Sequence, residues 1–116
     1  MQDLAGVIPY LATPLDAEGE IDGAAMHRLV DHLIDAGVHG LCPLGSTGEF
    51  AYLDADRRRA TIAAAIAAAD GRAPVIAGVA ATGTDDAIRQ ARAAQAEGAD
   101  GLLVVMDAYF PIPEDG

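Results

Sequence analysis

Ala36-Gly37-Val38-His39-Gly40-Leu41-Cys42-Pro43-Leu44 and Glu97-Gly98-Ala99-Asp100-Gly101-Leu102-Leu103-Val104-Val105 carry one pattern twice. In each, a glycine placed to end a helix is followed by Gly-Leu and a short apolar run. The two copies stand about two strand–helix units apart, a weak internal repeat of the kind that equivalent βα units produce. Outward from them, apolar runs alternate with helical patterns along the chain. The runs are Gly6–Thr13, Gly40–Leu44, Pro74–Gly78 and Gly101–Met106, and none contains a charged residue. Strands covered on both faces by helices read this way, so the pattern predicts a parallel sheet and an α/β fold.

Three helices separate the runs. Asp22 is the expected N-cap of the first, whose apolar positions Met26, Leu29, Val30, Leu33 and Ile34 recur at three and four residues, with Gly37 ending it. Asp54 caps an Ala-rich helix that runs to Ala69 and stops at Asp70-Gly71. Thr84 is the expected cap of the third, which reaches about Glu97 before Gly98. A barrel and a doubly wound open sheet share this alternation, and pattern alone leaves the choice open.

Composition narrows the function classes. Of 116 residues, 52% are hydrophobic, enough for a packed core, but only 4% are aromatic, so Ala, Val, Leu and Ile must build it. Seven basic residues, all arginine, face 18 acidic ones for a net charge of −11. That field repels duplex nucleic acid and anionic membranes. The run Arg57-Arg58-Arg59 reads as a solvated helix face. Cys42 is the lone cysteine, so no intramolecular disulfide forms and a reducing cytoplasm is the expected compartment. Neither a secretory leader nor an apolar run of the ~20 residues that span a bilayer is expected.

In barrels of this kind, sites are built from loops after the strands. Four places qualify: Thr13-Pro14, Gly45–Glu49, Gly78–Thr84 and Asp107–Phe110. In Gly45-Ser46-Thr47-Gly48-Glu49, two hydroxyls sit between two glycines directly after a strand. Glycine lets the backbone approach a ligand, and hydroxyls with free amides can hold a carboxylate. The same residues could equally form an ordinary βα turn in which Ser46 and Thr47 bond their own backbone. Glu49 is expected to orient the loop or cap amides rather than act as a base. His27 and His32 fall on different faces of their helix and His39 stands apart, so no metal site is expected. Tyr10, Tyr52 and Cys42 read as packing or interface residues.

Gly6–Pro14, Gly45–Glu49, Pro74–Gly78 and Gly98–Val105, in that order and spacing, resemble the opening half of the dihydrodipicolinate synthase and N-acetylneuraminate lyase family. The resemblance covers essentially the whole chain. It implies the N-terminal half of a (β/α)8 TIM barrel, with about four parallel strands and three helices in one partial domain, residues 1–116. A complete barrel takes ~250 residues. The family joins a barrel lysine to a 2-oxo acid, usually pyruvate, as a Schiff base, and then adds or cleaves an aldol. By resemblance, Ser46 and Thr47, flanked by Gly45 and Gly48, would bind the carboxylate of that small-molecule partner. In the synthases the first hydroxyl also relays protons between tyrosines. Tyr109 falls on one of these, as a catalytic residue, although Asp107 and Ala108 replace the Pro-Tyr that usually precedes it. A packing or interface role for Tyr109 fits as well.

No lysine occurs in the chain. Guanidinium stays protonated and forms no imine, so the chain alone is expected to be inactive. No cofactor is expected. The chain ends in the loop after the fourth apolar run, which reads as an interruption. A homo-oligomer is expected, because exposed first and fourth edges invite pairing. The alternatives are a non-catalytic half-barrel that assembles with itself or a complementary chain, and a small open α/β ligand-binding domain.

Overall fold

Asp22 opens α1 (Gly23–Asp35): its carboxylate accepts from the Ala25 amide at 3.0 Å, closing the first turn. This is a computed structural model, and it describes residues 3–106 and 113–115. The three- and four-residue spacing of α1 delivers Met26 and Val30 fully into the core, with Leu29, Leu33 and Ile34 packed beside them. Asp54 caps α2 (Ala55–Ala69) by accepting from the Arg57 amide at 2.8 Å. That amide, with the Arg57 cation, holds the Asp54 carboxyl below its ordinary pKa. Ala65, Ala68 and Ala69 are buried where α2 meets α1 and the sheet, and their small size brings the layers close.

The third helix, α3 (Thr84–Glu97), starts one residue differently from expectation. Gly83 is its N-cap, and Thr84 is already helical with no capping side-chain bond. Asp85 and Asp86 face the positive helix end instead, which favours the start electrostatically.

Of the four parallel strands and three helices expected, the described residues form two continuous strands, three α-helices and two short 3-10 turns, Ser46–Gly48 and Phe50–Tyr52. Strands β1 (Ile76–Ala81) and β2 (Gly101–Met106) run parallel, with Ile76 opposite Gly101 and Ala81 opposite Met106. The first two apolar runs lie beside them in chain order but pair only at single parallel bridges, Tyr10–Cys42 and Leu41–Val75. The reason is donor supply. Pro9, Pro43 and Pro74 have no N–H, so they serve as acceptors only: Pro9 O from Cys42 N at 3.0 Å and Pro74 O from Leu41 N at 2.9 Å. Each run nevertheless neighbours its successor, the order that barrel closure requires. The choice that pattern left open therefore falls against a rearranged sheet.

The internal repeat is the same device built twice. Gly37 and Gly98 sit at φ 98° and 99°. Behind them, Val38 N donates to Leu33 O at 3.3 Å and Ala99 N to Ala94 O at 3.1 Å, while the glycine amides reach Ile34 O and Gln95 O at 3.0 Å. These are two Schellman closures. The next residue then clasps the neighbouring strand at one point with two bonds. His39 N donates to Val7 O at 2.8 Å, and the His39 ring nitrogen Nδ1 accepts from Val7 N at 2.9 Å. Asp100 N donates to Val75 O and Asp100 Oδ2 accepts from Val75 N, both at 2.9 Å. A ring nitrogen in one copy does what a carboxylate does in the other.

The clasp requires only an acceptor of the right reach. Asp100→Ala is therefore expected to cost about 1–2 kcal/mol, the penalty for a half-buried amide left unpartnered. Asp100→Asn, which keeps an acceptor, should recover most of it. Urea unfolding of the two variants beside the wild type measures both.

Candidate functional site

The turn at Gly45–Gly48 begins where the second apolar run is forced away from β1. Leu44 takes a left-handed conformation, φ 64°, which a branched residue adopts only under constraint. Gly78 leaves the room that this conformation needs. A Cβ on Gly78 would stand 2.1 Å from the Leu44 carbonyl oxygen, so the two backbones touch where only glycine fits. The last rung there is Gly78 N to Pro43 O at 2.8 Å; beyond it the chain turns into the 3-10 segment Ser46–Gly48.

Within that turn, Gly48 N reaches Gly45 O and Glu49 N reaches Ser46 O, each at 3.0 Å. Gly45 and Gly48 are buried, whereas Ser46 and Thr47 are exposed. The Ser46 and Thr47 side chains make no hydrogen bond among the described residues, so their hydroxyls are not spent on their own backbone. The turn is fixed from outside by Thr13, whose hydroxyl donates to Gly48 O at 2.6 Å. A Cβ on Gly48 would meet Leu11 O at 2.9 Å, which explains the second glycine. The ring of Tyr10, more than half exposed, lies against Gly45.

Two expectations need correction here. Glu49 is exposed at φ 57°, and its carboxylate bonds nothing among the described residues, so it caps no amide. The arginine run is more than a solvated face. Arg57 Nε donates to Gly19 O at 2.7 Å and its other nitrogens pair with Glu20 and Asp54, fastening the loop after the first apolar run to α2. Arg58 donates twice to Phe50 O at 3.2 Å and so steadies the second 3-10 turn. Of the named site residues, Gly45, Ser46, Thr47 and Gly48 share one turn. Tyr109 lies outside the described residues.

Cys42 is 1% exposed, and burial pushes its thiol pKa up, which removes it as a nucleophile. Among the described residues no three of His, Cys, Asp and Glu converge as metal ligands, and no helix is long and apolar enough to cross a membrane.

The residues that sequence reasoning missed are Thr13 as the lock, Gly78 as the wedge, and Gln90. Gln90 Oε1 accepts from Ala80 N at 3.1 Å, and its Nε2 donates to Ala80 O at 2.9 Å. Its signal was present: an amide on the inward stripe of α3 that otherwise carries Ala87, Ala91 and Ala94.

Parallel segments in chain order, each crossing through an outer helix, with a hydroxyl-bearing turn at a strand's C-terminal end, define the opening part of a TIM barrel. The dihydrodipicolinate synthetase family model matches residues 3–116, and the chain belongs to that family. It is 47% identical over 104 residues to the 4-hydroxy-tetrahydrodipicolinate synthase of Salinibacter ruber, matching 90% of this chain but 34% of that protein. Among solved structures it superposes on YagE, an Escherichia coli K12 prophage protein of the dihydrodipicolinic acid synthase family determined in complex with pyruvate. The TM-score is 0.88 at 40% identity, over 95% of this chain and 37% of that one. On the 4-hydroxy-tetrahydrodipicolinate synthase of Methylacidiphilum fumariolicum SolV it superposes with TM-score 0.93 at 27% identity, over 98% and 38%. The chain thus spans about a third of the length of the relatives it matches.

Gly78→Ala tests the wedge. The added methyl meets a backbone oxygen that cannot rotate away, so the variant should lose about 3 kcal/mol or more, at the upper end of overpacking costs. Chemical denaturation reads the loss, and a variant as stable as wild type contradicts the contact.

Proposed function

We propose that this chain is the carboxylate-binding part of a Schiff-base-forming lyase or aldolase acting on a 2-oxo acid such as pyruvate. The observation that carries this reading is the Gly45–Gly48 turn, in which two exposed hydroxyls stand on a backbone locked by Thr13 and Gly78. A carboxylate set there would accept from the Ser46 and Thr47 hydroxyls and from amides at the start of the 3-10 segment, where backbone dipoles favour negative charge. Local donors must do this, because the net charge of −11 repels an anion at long range. Screening limits that repulsion to about 8 Å at physiological salt, so short hydrogen bonds decide the affinity.

In the family chemistry a lysine amine attacks the ketone carbon and water leaves as the imine forms. This chain contains no lysine, so it binds and orients the 2-oxo acid without making the bond. Tyr109 is the residue that this reading assigns to proton transfer, together with the Ser46 hydroxyl. A cytoplasmic setting belongs to the same reading, in keeping with a single buried thiol.

Pyruvate titrated into the chain should shift the amide resonances of Ser46 and Thr47. After borohydride treatment the intact mass should be unchanged. Silent Ser46 and Thr47 amides overturn the binding claim, and a reduced pyruvyl adduct on an internal residue overturns the claim of inactivity.

One observation favours assembly with a second chain, either another copy or a complementary one. Val104 of β2 is 63% exposed, with Leu102 and Val105 also open, an apolar strand that nothing among the described residues covers. Light scattering on the purified chain should give a mass above that of the 11.8 kDa monomer, and a stable monomer at micromolar concentration counts against the assembly.

A further inference from the structure

We infer that Gln90 is a positioning residue for the Gly45–Gly48 turn, acting as a side-chain substitute for the strand that leaves β1; this rests on the reading of that turn as the carboxylate site. The geometry follows from strand periodicity. Along a strand, alternate residues direct their N–H and C=O to the same neighbour. Ile76 N bonds Leu41 O and Gly78 N bonds Pro43 O, so the next residue with groups on that side is Ala80. By then the partner has gone, because Leu44 has turned into the left-handed conformation.

Ala80 is 5% exposed, so water cannot readily satisfy it. Gln90 supplies both missing partners: its carbonyl takes the Ala80 amide and its NH2 serves the Ala80 carbonyl, at 3.1 and 2.9 Å. A primary amide has the donor and acceptor of a peptide group, so it completes the rung without a strand. Asp86, one turn earlier on α3, accepts from the same Nε2 at 3.3 Å and fixes the amide's direction.

The consequence reaches the site through competition. Without Gln90, Ala80 would hold two unpartnered polar groups, and the nearest backbone able to satisfy them is the segment after Leu44. Pairing there would extend the second strand and draw out the turn that presents Ser46 and Thr47. Gln90 removes that incentive and leaves the turn free to form.

Hydrogen exchange on the full chain tests this. In Gln90→Leu, which keeps bulk but neither polar group, the Ala80 amide should exchange at least tenfold faster. The turn amides of Gly48 and Glu49 should exchange at least threefold faster, while α1 amides keep their wild-type rates. Gln90→Glu retains an acceptor for Ala80 N but cannot donate to Ala80 O and, ionised, sets a second carboxylate beside Asp86; the Ala80, Gly48 and Glu49 amides should again exchange faster together, which provides the reading should the leucine variant not fold. The pyruvate dissociation constant, followed at Ser46 and Thr47, should rise at least fivefold in Gln90→Leu. Loss of Ala80 protection with Gly48 and Glu49 unchanged overturns the inference, and so does uniform acceleration that includes α1. If pyruvate leaves the wild-type turn unmoved, the proposed function fails while the exchange rates still decide the role of Gln90.

Discussion

The contact between Gly78 and the Leu44 carbonyl governs the upper half of the structure. The Leu44 carbonyl reaches the Gly78 backbone because Leu44 has turned left-handed, and only a glycine at 78 leaves room for that departure from the ladder. The second segment departs because it has the means: Pro43 cannot extend the ladder as a donor, and Gly45 and Gly48 accept a tight turn. The candidate turn Gly45–Gly48 follows directly on this split. The split creates the turn, exposes two hydroxyls, and leaves Ala80 needing the partner that Gln90 provides.

At the opposite end of the sheet the same economy appears in a different form. His39 and Asp100 each use backbone N–H and a side-chain acceptor to grip one residue of the neighbouring strand. Side chains therefore complete the hydrogen bonding at both ends of short strands. The sequence allows it because α1 and α3 each end in a glycine Schellman turn, which delivers the following residue to the strand's base at a fixed angle.

This explains what was legible in the sequence and what was not. Helix starts at Asp22 and Asp54 and helix ends at Gly37 and Gly98 depend on residues a few positions apart, and local chemistry suffices to read them. Alternation and the glycine repeat predict parallel strands but leave their order in the sheet open. Apolar runs report burial but not strand continuity, because continuity also needs N–H donors, which Pro9, Pro43 and Pro74 lack. A threonine before two aspartates reads as a cap, but Thr84 is already helical and Gly83 takes the cap position. At the site, the turn residues were legible as composition, but their lock was not. Thr13 and Gly48 lie 35 positions apart, and only the folded layers bring them to 2.6 Å.

A split of this kind also separates two tasks that active sites must combine. Holding an anion needs short, fixed donors, which a backbone turn braced from several sides can supply. Forming an imine with a carbonyl needs a primary amine that can lose its proton, which the guanidinium of arginine does not offer. In the reading proposed above, residues 45–48 serve the first requirement, and no lysine among the 116 residues serves the second. Thr13 and Gly78 shape this turn by direct contact and Gln90 satisfies the strand beside it, so the geometry of the turn is set by neighbours within these residues, independently of where an amine is supplied.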